Sequence, residues 1–171
     1  DRADPSRRNL IQLGFKHPHY NLESPDRFYA QYDPAAIVWP SSAAPEDYFG
    51  PQPGFAVYEA AYIANGRWTP EKSGDEAWRQ VVRAYFAATS HADHEIGRFM
   101  RALEASPLGR DTTVVFLSDN GFNLGTHDSF HKMSQWDSAA HVPLAIWHAE
   151  LEGRTVDLPV SLHNLPKTLM Q

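Results

Sequence analysis

Apolar side chains recur at steps of three and four along the middle of the chain: Trp78, Val81, Val82, Tyr85, Thr89, Ala92, Ile96, Phe99, Met100 and Leu103. That spacing draws one stripe along a helix of about 30 residues. Ser73-Gly-Asp-Glu76 has capping-box spacing at its start, and Pro107 with Gly109 marks its end. His91 and His94 fall roughly opposite the stripe, which predicts a solvated face or contact with a neighbouring layer rather than a zinc pair. Thr112-Thr-Val-Val-Phe-Leu-Ser118 is β-branched and continuously apolar, the pattern of a strand covered on both faces in a parallel sheet. Pro143-Leu-Ala-Ile-Trp147 reads as a second strand, and Leu10-Ile-Gln-Leu-Gly-Phe15 as a third, earlier one. Residues 24–74 are rich in proline and turn formers and read as a loop region with at most one short helix near Asp26–Tyr32. Strand, long helix, strand predicts an α/β sandwich with a largely parallel sheet.

Composition narrows this picture. A chain of 171 residues, 42% hydrophobic and 12% aromatic, is long enough for one domain with its own core. No run approaches the ~18 apolar residues of a membrane span, so no membrane partner is expected. The formal net charge of −6 argues against nucleic acid as a partner. The absence of cysteine excludes disulfides, thiolate nucleophiles and Cys-type zinc sites from this chain. The first eight residues contain no apolar core of a signal peptide, and no compartment can be assigned.

The chemistry concentrates after the central strand. Asp119-Asn120-Gly121 follows it directly, and ligands of open α/β sheets bind beyond the carboxyl ends of strands. A carboxylate next to an amide oxygen offers two hard donors suited to Ca²⁺ or Mg²⁺. The same tripeptide is also an ordinary turn. Its continuation is more specific: Phe116-Leu-Ser-Asp-Asn-Gly-Phe-Asn-Leu-Gly-Thr-His127, then His131-Lys-Met-Ser134, then Ala139-Ala-His-Val-Pro-Leu-Ala-Ile-Trp147. Earlier come Gly14-Phe-Lys-His-Pro-His19, Ser24-Pro-Asp-Arg-Phe-Tyr-Ala-Gln-Tyr-Asp-Pro34, and Tyr85-Phe-Ala-Ala-Thr-Ser-His-Ala-Asp93 with Ile96-Gly-Arg98. In order and spacing these segments resemble the sulfatase family of the alkaline phosphatase superfamily, from about Leu10 to the end of the chain.

The resemblance implies an alkaline-phosphatase-like fold and the hydrolysis of a small sulfate ester. Asp119 and Asn120 match two ligands of the family's divalent metal, most often Ca²⁺, with Mg²⁺ or Mn²⁺ as alternatives. Lys132 matches the lysine that holds the sulfate oxygens, and His19, rather than His17, the histidine beside the leaving-group oxygen. His127 is placed either to order its loop or to touch substrate. These residue types suit the reaction: an ammonium offers three donors to sulfate oxygens, and imidazole can pass a proton to a departing alkoxide.

Two features depart from the family. Its nucleophile lies in Cys/Ser-x-Pro-x-Arg, where cysteine or serine becomes formylglycine, and that motif does not occur here. Ala3-Asp-Pro-Ser-Arg7 has the spacing with alanine at the nucleophile position, but it stands too close to His19 to be the family's motif. Residues 1–171 are therefore expected to be a single partial catalytic domain, inactive alone, whose nucleophile comes from an amino-terminal half or another chain. Two alternatives share the motifs: a phosphonate monoester or phosphodiester hydrolase, and a non-catalytic, sulfatase-derived binding module.

Overall fold

The computed structural model describes residues 9–38, 70–125, 130–132 and 136–170. A one-turn helix α1 (Asp26–Tyr29) and a 3₁₀ turn (Pro34–Ala36) precede the long helix α2 (Pro70–Glu104). At 35 residues α2 is longer than its apolar stripe, and Ser73 lies inside it rather than capping it. Pro70 is its first residue, a position where the missing N–H has no intrahelical acceptor and the fixed φ is already helical. Residues 70–74 of the loop region expected over residues 24–74 are therefore helical, and its stretch 39–69 lies outside the described residues. At the far end, Ser106 closes the helix by returning its backbone N–H and its hydroxyl to the Leu103 carbonyl, at 2.9 and 2.7 Å.

The amino-terminal segment lies along α2, tied down by side chains of the helix. A single helical turn leaves most of its carbonyls without internal donors. Arg83 supplies two donors to the Tyr29 carbonyl, at 3.0 and 3.2 Å. Arg79 donates to the Pro34 carbonyl at 3.2 Å and to that of Ile37. Tyr32 and Ser90 share a hydroxyl–hydroxyl bond of 2.5 Å. Ile37, Trp78 and Val82 form the buried cluster, with Val81, Phe86, Phe122 and Leu124 packed around it.

Among the described residues, four short strands follow α2: β1 (Val114–Leu117), β2 (Asn123–Leu124), β3 (Phe130–His131) and β4 (Leu144–Trp147), with a one-turn helix α3 (Asp137–Ala140) before β4. The described sheet is antiparallel, not parallel. β1 pairs with β4 in the register Val114↔Trp147 to Leu117↔Leu144, and β2 pairs with β3. The reason lies in the connection. The chain leaving β1 folds back through β2, β3 and α3 and re-enters beside Leu117, where β1 ended, which dictates an antiparallel return. Continuous apolarity reports burial and says nothing of strand direction.

Leu10–Phe15 is not a strand. It has no ladder partner among the described residues, and Leu10 is 89% exposed. Phe116, Leu117 and Ile146 on the β1–β4 ladder are also exposed. The chain ends in a 3₁₀ turn (Leu162–Asn164) running into a short helix α4 (Leu165–Leu169).

Trp78, 1% exposed, is the largest apolar side chain buried completely among the described residues, and its indole N–H donates to the Leu124 carbonyl at 2.9 Å. Trp78→Phe removes the donor and strands that carbonyl beside the core, a loss of about 1–3 kcal/mol. Urea denaturation should show a lowered midpoint with an unchanged slope. An unchanged midpoint would mean the bond contributes nothing.

Candidate active site at the carboxyl end of β1

The site is assembled by three local constraints. The first is the β2–β3 register. Asn123 faces His131, so Lys132, the next residue, stands alongside Phe122 and close to Asn120. Its ammonium donates to Asn120 Oδ1 at 3.1 Å. The amide of Asn120 is oriented from its other end, where Nδ2 donates to the Gly121 carbonyl at 2.8 Å, and the Ser118 hydroxyl holds the Asn120 carbonyl at 2.7 Å.

The second constraint is contact with α3. The Gly121 and Phe122 N–H groups donate to the carbonyls of Ala139 and Ser138, at 2.8 and 2.9 Å. A Cβ on Gly121 would collide with the Ser138 carbonyl, so only glycine permits this approach. Beneath it Asn123, fully buried, is bonded to the Ser138 hydroxyl. One turn further on, Gly125 has φ +104° and lies under the Trp78 indole, where any Cβ would be both strained and obstructed.

The third constraint is aromatic. Phe122 meets Tyr85 of α2 at a ring-centroid distance of 5.1 Å and Tyr20 edge-on at 5.7 Å. Burial raises the phenols of both tyrosines above their ordinary 10, so both remain neutral throughout the working range. Tyr20 adjoins His19, and Phe122 lies two residues from Asn120, so this cluster sets the His19 turn beside the Asn120 loop. His19 Nδ1 lies 2.9 Å from the Tyr20 carbonyl. A carbonyl only accepts, so that nitrogen carries its proton and Nε2 is left to bind or release another.

The structure thus brings Asn120 and Lys132 into direct contact and places Asp119, exposed, beside them just past the end of β1. His19 stands in the neighbouring turn, joined to them through Tyr20 and Phe122 rather than touching them. His127 lies outside the described residues. His91 and His94 contact a neighbouring element: both rings meet Phe28 of α1. Tyr20, Tyr85 and Ser138 were not singled out from sequence. Tyr85 was legible as a stripe position, but nothing in the sequence links it to Phe122.

For a divalent cation, the Asp119 carboxylate and Asn120 amide oxygen are the right kind of donor, both hard oxygens. Asn120 Oδ1 has one lone pair engaged by Lys132 and a second remaining. Among the described residues no group of three or more His, Asp or Glu side chains could hold a metal. The pair fits a hard cation in kind and needs further oxygens to complete it.

The chain is mixed α/β, with the Lys132 ammonium on the Asn120 amide and Asp119 next in sequence just past the end of a strand. Its sequence matches the sulfatase family model across residues 2–171, and the chain belongs to that family. It is 30% identical over 163 residues to a sulfatase from Formosa agariphila, covering 95% of this chain and 32% of the relative. It is 40% identical over 81 residues to human iduronate 2-sulfatase, covering 47% of this chain and 14% of that protein. Its fold is alkaline-phosphatase-like: the phosphonate monoester hydrolase from Silicibacter pomeroyi superposes with a TM-score of 0.64 at 26% identity, over 79% of this chain and 28% of that one. The chain spans at most about a third of the length of these proteins. Enzymes of this family and fold use divalent metals.

Gly121→Ala tests the geometry. The added methyl forces the Asn120 loop away from α3, costing about 1–3 kcal/mol as overpacking does. Differential scanning calorimetry should show a lower Tm than wild type. An unaltered Tm would show that the loop does not rest on α3.

Proposed function

We propose that this chain forms part of the active site of a sulfuric ester hydrolase. The contact that carries this reading is Lys132 Nζ on Asn120 Oδ1 at 3.1 Å, beside Asp119. It sets a cation donor next to hard oxygens where an oxyanion would bind. Lys132 directs its remaining donors to the sulfuryl oxygens, whose charge grows as the ester bond breaks. Asp119 and Asn120 would hold a hard divalent cation, with Ca²⁺ the ion the family resemblance implies, and it would supply charge neutralisation when bound. His19, its Nδ1–H engaged by the Tyr20 carbonyl, presents Nε2 to give a proton to the departing alkoxide.

The nucleophile is contributed by further polypeptide, since Cys/Ser-x-Pro-x-Arg does not occur in these 171 residues. The exposed side chains support that reading, because Phe116 on one face of the β1–β4 ladder and Leu117 with Ile146 on the other leave apolar surface on both sides that asks for cover. The chain by itself is expected to hydrolyse no sulfate ester.

A second reading keeps the same residues for a phosphonate monoester, and the structural likeness to the Silicibacter enzyme favours it. The two oxyanions differ in charge and leaving group, so paired turnover of an aryl sulfate and an aryl phosphonate separates them. A larger kcat/KM on the sulfate is expected.

In the active protein, Lys132→Ala should lower kcat/KM by roughly 10²–10³-fold, as loss of one transition-state donor does. His19→Ala should cost about 10²–10⁴-fold for poor leaving groups and little for good ones. The measurement is a series of aryl sulfates of graded leaving-group pKa. A uniform loss across the series would remove His19 from the role of proton donor.

A further inference from the structure

His17 and His91 lie outside the chemistry proposed above, yet their rings pack 5.1 Å apart at 36°. His91 also stacks on Phe28, at 4.9 Å and 23°, so that two imidazoles and a buried phenyl form one continuous contact between the His17–Tyr20 turn, α2 and α1. Nδ1 of both histidines is shielded from solvent and has no hydrogen-bond partner. A buried ring nitrogen without an acceptor stabilises no proton, and a shielded N–H⁺ there is costly.

The charged groups around the pair do not relieve this. Lys16 on the turn opposes a proton on His17, as His91 does, and Glu23 is the one carboxylate that favours it. Glu23 also accepts from Asn21 at 3.5 Å. On the neighbouring elements Arg27 lies 4.8 Å over the Phe28 ring and His94 meets that ring edge-on. Glu95 is engaged by Arg98 at 2.6 Å. Two ligands fall short of a metal site, and the cluster is one for protons.

We propose that His91 is a positioning residue for the His17–Tyr20 turn, holding it on α2 through His17 while His17 is neutral and releasing it in acid. The turn carries His19, so the catalytic consequence rests on the role given to His19 above; the contact itself does not. The direction follows from linkage. Burial, then His91, then Lys16 lower the His17 value below 6.5 in the docked turn. A released turn titrates at the ordinary value, so it takes up the proton first. Docking is fully present above about pH 6.5 and is lost as pH falls from there through the lowered value.

The test uses the full chain without substrate. Imidazole resonances are followed by NMR against pH, together with exchange protection of the His19 amide, which is bonded to the Lys16 carbonyl at 2.9 Å. His17 should titrate below 6.5, and protection should fall by up to about tenfold per pH unit in that window, the slope of one linked proton. His91→Phe keeps a stacked ring and removes the imidazole that opposes a proton on His17. It should move the His17 midpoint back toward 6.5 and preserve protection further into acid. A His17 midpoint at or above 6.5 in wild type, protection indifferent to His17 titration, or a midpoint unmoved by His91→Phe would each overturn the proposal. The wild-type titration stands even where the variant folds poorly. A leaving-group series that removed His19 as proton donor would leave these resonances unaffected, so the two readings fail separately.

Discussion

The indole of Trp78 fixes the turn that everything after β1 depends on. Its N–H holds the Leu124 carbonyl, its ring covers Gly125, and from that turn the β2–β3 pair returns Lys132 to Asn120. α2 then acts as a ruler. Trp78 holds the Leu124 turn, Tyr85 meets Phe122, Ser90 meets Tyr32, and His91 meets His17, in order along one axis. At ~1.5 Å per residue, the Tyr85 and His91 contacts lie about 9 Å apart along the helix. The Tyr20–Phe122 contact bridges that interval and brings two loops distant in sequence to one place.

Stability and chemistry are divided between different atoms. The interactions that hold the site are buried or half-buried: Gly125 beneath Trp78, Asn123 against Ser138, the two backbone bonds from Gly121 and Phe122 to α3. The groups given chemical roles lie at the surface, with Asp119 and His19 exposed and Lys132 and Asn120 half-buried. A polar contact at such a surface adds at most about 1 kcal/mol to folding. The side chains proposed for the chemistry are thus nearly independent of the fold's stability, while glycine at position 121 is not replaceable without moving the Asn120 loop.

Periodicity made α2 legible, because a stripe at helical spacing has one geometric meaning; its start was misplaced because Pro70 is a stronger start signal than the spacing at Ser73. β1 and β4 were legible to within two residues as apolar runs. Their pairing was not, since direction is decided by where the connection through β2, β3 and α3 re-enters. Leu10–Phe15 misled for a related reason: apolar composition reports a demand for cover, and a strand exists only where a partner supplies the ladder. At the site, the Lys132–Asn120 contact depends on a two-residue ladder too short to show any alternation. The Tyr20–Phe122–Tyr85 cluster joins residues about a hundred positions apart, a distance that no local pattern spans.

The mismatch between what β1 asks for and what it receives bears on the site itself. Val114–Leu117 carries four large apolar side chains in succession, a pattern suited to cover on both faces, yet Phe116 and Leu117 stay exposed. Asp119 stands two residues beyond that uncovered end. A short antiparallel pair is marginal without a packed face, so the strand that aims Asp119 and Asn120 is the least supported element near them. Further polypeptide laid over Phe116 on one face, or over Leu117 and Ile146 on the other, would contribute apolar burial and, by ordering β1, would reduce the entropy lost in the proposed gathering of the two oxygens by a cation. Under the proposed reading, completion of the sheet and completion of the ligand set would be one coupled event, in which cover over β1 would strengthen cation binding at Asp119 and cation binding would strengthen the cover by the same factor.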